Sequence, residues 1–209
     1  ILSVGDTCLR QLKYKNYDFI ARIIIYLYIC TIVTTVTVMS ITIKLIDMRF
    51  FDRETEFEKL KEIENLSHEV AQFTIITGRR RIGKTEMVKK FYENKTMLYF
   101  FVARKAEADL CDIFIDEIRV KLNIPMLNTK GMSFAAVFKY IMELSLTQHI
   151  TLFIDEFQDF YRVNPSIYSD MQNIWDSYKN KAHINLIVAG SVNTLMNKIF
   201  KNKKEPLFG

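Results

Sequence analysis

From residue 53 onward the spacing of apolar positions changes repeatedly, and each change marks an element. Phe57, Leu60, Ile63 and Leu66 recur every three residues among Glu and Lys, so 53–66 reads as an amphipathic helix. The run Phe73-Thr74-Ile75-Ile76 is too short for a helix, rich in β-branched residues and leads into Gly78, which predicts a buried strand. The same reading gives a helix over 84–94, a strand over 97–102, and helices near 106–122 and 132–146. A strand over 150–154 stops at Asp155-Glu156, and a helix over 165–180 carries Trp175 on its apolar side. A strand over 184–189 ends at Gly190-Ser191, and a last helix covers about 192–200.

Largely apolar strands alternating with helices predict an α/β fold, a parallel sheet of about five strands with helices on both faces. Ligands of such sheets sit outside the carboxyl ends of the strands. The unusual residues fall there: the segment from Gly78, the pair Asp155-Glu156, and Ser191. No internal repeat or low-complexity tract interrupts the pattern.

The first 47 residues stand apart. Residues 23–43 carry no charge, which is enough to cross a bilayer as a helix. Arg10, Lys13, Lys15 and Arg22 precede them and would hold that side in the cytoplasm, placing the rest of the chain outside, although Lys44 and Arg49 offset the bias. The segment is rich in Ile, Val and Thr, which favour strands. The chain starts with Ile, and Met48 stands directly before RFFDRETEFEKL. The preferred expectation is upstream sequence read through ahead of a cytoplasmic domain over 48–209. The alternatives are a membrane anchor through 23–43 and a buried apolar element.

The 209 residues suffice for one full domain. The net charge of +5 is spread out: 1–48 hold five Lys/Arg against three Asp/Glu, leaving 24 against 21. That balance does not make a nucleic-acid surface, and DNA as a partner rests only on the run Lys198, Lys201, Lys203, Lys204. Cys8, Cys30 and Cys111 form no CxxC pair and read as free thiols. His68, His149 and His183 lie far apart without ligand spacing and read as surface or core residues. Tyr99-Phe100-Phe101 reads as core.

GRRRIGKT, residues 78–85, matches G-x-x-x-x-G-K-[ST] at every required position. Gly78 permits the turn out of the strand, and Gly83 lets the backbone approach phosphate oxygens closely. The following helix offers unsatisfied amides and the positive end of its dipole to the same anion. Lys84 is placed to reach the β- and γ-phosphates, and Thr85 to offer its hydroxyl to Mg²⁺. The expected ATP contacts are Gly78, Arg79, Arg80, Arg81, Ile82, Gly83, Lys84, Thr85 and Glu86, with the three arginines favoured as a solvated stretch. Asp155 is placed to hold Mg²⁺ through water, opposite Thr85, and Glu156 to polarise the attacking water as general base. Gln158 and Asp159 point near the same cleft. Ser191 is placed to bond the γ-phosphate or that water, or to cap the next helix.

FFDRETEFEKL, ITGRRRIGKTEM, LFIDEFQDF, NLIVAGSVNTLM and EPLFG together resemble the archaeal-type ATPase family, P-loop proteins of the AAA+/STAND group. The resemblance covers 48–209. It implies an ATPase core with sheet order 5-1-4-3-2, ATP and Mg²⁺ as cofactors, and a homo-oligomer. It also implies a box near the adenine at Phe51-Asp52-Arg53-Glu54, Walker B residues Asp155 and Glu156, and Ser191 at the sensor-1 position. Family members continue past Gly209 with an arginine, a helical lid and a C-terminal region, so the chain is expected to be a fragment that binds ATP better than it hydrolyses it.

Overall fold

The computed structural model describes residues 27–35, 53–124, 131–191, 193–201 and 207. The chain divides into two units, Ile1–Arg53 and Glu54–Gly209.

In the first unit, 27–35 form an exposed helix, α1. Threonine favours strands, but here Thr31 and Thr35 donate their hydroxyls to the carbonyls of Leu27 and Thr31, one turn back. The rest of the uncharged span 23–43 lies outside the described residues. No described helix is long and apolar enough to cross a membrane.

The second unit runs α2 (Glu54–Ser67), β1 (Gln72–Thr77), α3 (Lys84–Phe91), β2 (Leu98–Phe101), α4 (Glu107–Leu122) and α5 (Phe134–Leu144). It continues with β3 (Ile150–Asp155), a 3-10 turn (Phe157–Asp159), α6 (Phe160–Val163), α7 (Ile167–Tyr178), β4 (Ile184–Gly190) and α8 (Asn193–Lys201). Each expected element is present, most within two residues of its expected bounds; α3 stops three residues early, where the backbone N–H of Tyr92 closes on Val88 O.

Four parallel strands lie in the order β1-β4-β3-β2, which is the 1-4-3-2 part of the expected order. A fifth strand is not found among the described residues. β3 and β4 are buried along their whole length, whereas β1 at the edge is only partly covered. The alternation of side chains sorts the two faces. Leu152, Ile154, Leu186 and Val188 point into a core with α4, α5 and α7, where the Phe100 and Phe114 rings stack at 4.2 Å. Trp175 closes this core, as expected for the apolar side of α7.

Thr151 and Asn185 face the other way, toward α2 and the end of α3. There the buried Glu64 carboxylate accepts from Tyr92 Oη at 2.6 Å, Asn185 Nδ2 at 3.0 Å and Thr151 Oγ1 at 3.4 Å. Burial pushes Glu64 upward, but the Tyr92 and Asn185 bonds and then the charge of Lys95 outweigh it and hold the group below its ordinary 4.5. Beside it the rings of His68 and His149 stack with centroids 3.7 Å apart. Their sequence separation gives no hint of this; the sheet order brings the start of β3 beside the end of α2.

Candidate functional site

Register decides what meets at the carboxyl edge. Thr77 pairs with Gly190, and Phe101 with Asp155, so the chain leaves β1, β3 and β4 at one level. The segment after β1, the pair after β3 and Ser191 after β4 therefore share one cleft. Its volume is about 840 Å³, and Arg80, Arg81, Gly83, Lys84, Thr85, Glu86, Asp155, Glu156 and Ser191 line it.

The loop folds as its glycines require. Gly78 leaves β1 at φ 158°, a conformation that side chains disfavour, and a Cβ there would also press on Ile82 Cδ1 at 2.6 Å. Gly83 caps α3 at φ 82°, ψ 19°, a left-handed conformation, and offers no side chain to the first amides of α3. Lys84 Nζ donates to the carbonyls of Gly78 at 3.0 Å and Arg79 at 2.9 Å, which holds the ammonium at the mouth. Arg79, Arg80, Arg81 and Ile82 are exposed. Arg80 and Arg81 border the cleft, while Arg79 contributes its carbonyl to Lys84.

Opposite the loop, Thr85 Oγ1 donates to Asp155 Oδ2 at 2.7 Å. Tyr99 Oη donates to the same oxygen at 3.2 Å, and Asp155 Oδ1 accepts the Glu156 amide at 2.9 Å. Burial, and then the charge and hydrogen bond of Asp155, raise the Tyr99 phenol well above its ordinary range, so it stays a donor. Lys89 lies over the Tyr99 ring at 4.0 Å. Tyr99 is expected in the core, and its ring does pack at 5.5 Å from Phe153, but its hydroxyl reaches the cleft. A hydroxyl on an alternating strand is the available signal in the sequence, yet the partner depends on the β2–β3 register.

Glu156 sits at φ 54°, ψ 39°, a left-handed conformation uncommon for a residue with a side chain. That bend swings its carboxylate back over the strand ends. There Glu156 Oε2 accepts from Ser191 Oγ at 3.0 Å and from Gln158 Nε2 in a short contact. Gln158 is 1% exposed, and its Oε1 is a buried acceptor without a hydrogen-bond partner among the described residues. Its amide cannot be turned round, since the oxygen would then face the Glu156 carboxylate. Gly190 makes room for it: a Cβ there would run into Gln158 Oε1 and Met196 Sδ. Asp159 instead turns toward Arg104, 3.8 Å away. Of the expected adenine box, Phe51 and Asp52 lie outside the described residues, and Glu54 begins α2.

A parallel sheet in this order, a glycine loop between β1 and the helix after it, and carboxylates at the end of β3 define the P-loop NTPase fold. Within that class, the chain belongs to the family of ATPase domains found predominantly in Archaea, whose model matches residues 50–207. It is similar to an uncharacterized protein of Methanocaldococcus jannaschii, 28% identical over 160 residues, which make up 77% of this chain and 34% of that protein. Among solved structures it is similar to a Walker-type ATPase of Pyrococcus abyssi, at 22% identity and a TM-score of 0.59, over 77% of this chain and 51% of that one. It is also similar to the ORC2 protein of Aeropyrum pernix in its ADPNP–ADP complexes, at 17% identity and a TM-score of 0.53, over 72% of this chain and 43% of that one. The chain thus spans about a third to a half of the length of these relatives.

Proposed function

We propose that this domain binds ATP with Mg²⁺ in the cleft and hydrolyses its terminal phosphate. The observation that carries the proposal is the Glu156 carboxylate, bent back and held by Ser191 and Gln158 beside the phosphate loop. Nucleotide binding alone does not call for a second carboxylate so fixed.

The amides at the start of α3 and the Lys84 ammonium are suited to the phosphate chain. Thr85 Oγ1 and Asp155 Oδ2 are hard oxygen donors 2.7 Å apart. Such oxygens suit Mg²⁺, which Thr85 would hold directly and Asp155 through water. When bound, the ion would neutralise charge on the β- and γ-phosphates. Tyr99 orients Asp155 from the far side.

In the proposed reaction Glu156 accepts a proton from a water as the water oxygen bonds to the γ-phosphorus. The bond from that phosphorus to the bridging oxygen breaks, leaving ADP and phosphate. Lys84 stays against the oxygens where charge builds up. Ser191 links the Glu156 carboxylate to the turn before α8, so the phosphate state is passed to that helix as a conformational change. Nucleotide in the ORC2 structure, on the same fold, supports an adenine nucleotide as the ligand. The expected DNA contact gains no support: Lys198 is engaged by the Tyr161 hydroxyl at 3.0 Å, and the side chains of Lys201, Lys203 and Lys204 lie outside the described residues.

Glu156→Gln keeps the shape and the acceptor for Ser191 but removes the base. The expected result is retained Mg-ATP binding with turnover down about 100-fold or more. Turnover equal to wild type would overturn the assignment of Glu156.

A further inference from the structure

All three histidines of the chain gather at the edge of the sheet opposite the phosphate loop. His149 directly precedes β3, His183 directly precedes β4, and His68 directly follows α2. Glu64 stands four residues before His68, on the same face of the helix end. We propose that Glu64, His68 and His149 form a site for a zinc-type transition-metal ion, distinct from the Mg²⁺ pair at the other end of the strands.

The ligand atoms of these three side chains all lie within 4.8 Å of one another. Two imidazoles and a carboxylate, with water in a fourth position, make a zinc ligand set, while Mg²⁺ prefers oxygen alone. Stacking at 3.7 Å with 21° between the planes suits neutral rings, since two imidazolium ions that close would repel. Each neutral ring keeps one lone pair in its own plane, and a turn of the exposed His68 ring out of the stack would bring both to one ion.

The hydrogen bonds also select which nitrogen is available. Ser67 Oγ donates to the Glu64 carbonyl at 2.6 Å, because a carbonyl can only accept. Its single hydrogen being used, Ser67 Oγ must accept from His149 Nε2 at 2.8 Å. His149 therefore carries its proton on Nε2 and keeps the lone pair on Nδ1. A ring nitrogen that donates to a fixed acceptor while its partner nitrogen stays bare is how metal-bound histidines are oriented.

Glu64 is prepared in a matching way. Its Oε2 takes the bonds from Tyr92, Asn185 and Thr151, while Oε1 has the Lys95 ammonium 3.8 Å away. The His68 backbone is pinned by His183 Nδ1, which donates to the His68 carbonyl at 2.7 Å. A metal here would clasp the end of α2 to the start of β3. One strand length separates it from the phosphate loop, about 20 Å for six residues at about 3.3 Å each. Lys95 is the competing cation; it is partly exposed and lies over the Phe91 ring at 4.8 Å.

The test is Co²⁺ titration of the full chain in excess Mg²⁺, followed by visible absorption, with Zn²⁺ displacement. A Cys8→Ser/Cys30→Ser background removes two of the three thiols as rival ligands, the third, Cys111, being buried. The expected result is one Co²⁺ per chain with tetrahedral d–d bands, displaced by one Zn²⁺. His68→Ala, at an exposed position, should weaken binding by about 100-fold, and Ser67→Ala by about 10-fold through the freed His149 ring. Lys95→Met should tighten binding several-fold by removing the neighbouring charge, an effect that a purely structural histidine stack would not produce. Equal Co²⁺ affinity in wild type and His68→Ala, or no tightening in Lys95→Met, would overturn the proposal.

Discussion

Gln158→Leu separates the positioning of Glu156 from the stability of the fold. Leucine nearly keeps the volume of a side chain that is 1% exposed. The substitution removes the short hydrogen bond to Glu156 Oε2, a charge-assisted bond worth about 1.5–3 kcal/mol. It also removes Oε1, whose lack of a partner costs about 1–3 kcal/mol. The two terms oppose each other at similar size, so the net change in unfolding free energy should stay within about 1 kcal/mol. Function should not be spared. The Glu156 carboxylate keeps only Ser191 as side-chain donor, at 3.0 Å, while its backbone stays tied to Asp155 Oδ1 at 2.9 Å. A loosened general base should reduce turnover by about 10-fold to 100-fold, part of the roughly 10²–10⁴-fold such a base supplies. Urea unfolding and steady-state phosphate release read the two effects separately. Full turnover with intact stability would refute the positioning argument. A loss of stability above about 3 kcal/mol would refute the cancellation, because Gln158 would then be holding the fold itself.

Tyr99→Phe removes the second donor on Asp155 Oδ2 and should raise the Mg²⁺ concentration needed for nucleotide binding about 10-fold, read by Mg²⁺ titration of ATP binding; an unchanged Mg²⁺ dependence would count against that contact. Phe100→Ala breaks the 4.2 Å stack on Phe114 in the core and should cost about 3–5 kcal/mol by chemical denaturation. The Cys111 thiol is pushed up to about 12, chiefly by burial and then by Glu107 and Asp112. Its thiolate is therefore scarce below that pH, and alkylation near pH ~8 should be slow in the folded protein and become fast on unfolding, as followed by mass spectrometry of the Cys111 peptide.

The strands are legible in the sequence because β3 and β4 are buried on both faces, which leaves unbroken apolar runs such as Thr151-Leu152-Phe153-Ile154. Most of the cleft is legible for a related reason, since a phosphate loop is built from neighbours in sequence. What escapes depends on register between distant strands. Tyr99 reaches Asp155 only because Phe101 pairs with that residue, and nothing in the run Tyr99-Phe100-Phe101 indicates its partner. Gln158 falls near the cleft by its place in the chain, but its hold on Glu156 follows from the left-handed bend at Glu156, which no local signal announces. His68 and His149 do not stand out, because spacing along the chain is the usual sign of ligands. Here the sheet order β1-β4-β3-β2 brings them together instead. The Thr-rich α1 runs against strand preference, because hydroxyl bonds to the preceding turn accommodate threonine in a helix.

The most direct measurement is Mg-ATP affinity of the wild type and Lys84→Ala, by calorimetry. Lys84 is poised over the loop by the Gly78 and Arg79 carbonyls, and alanine leaves the glycines and the helix start in place. The account predicts measurable Mg-ATP binding that Lys84→Ala weakens by at least about 10-fold to 100-fold, the loss of a charge-assisted phosphate contact of about 1.5–3 kcal/mol. A folded wild type that binds no Mg-ATP, or equal affinity in the two proteins, would contradict it.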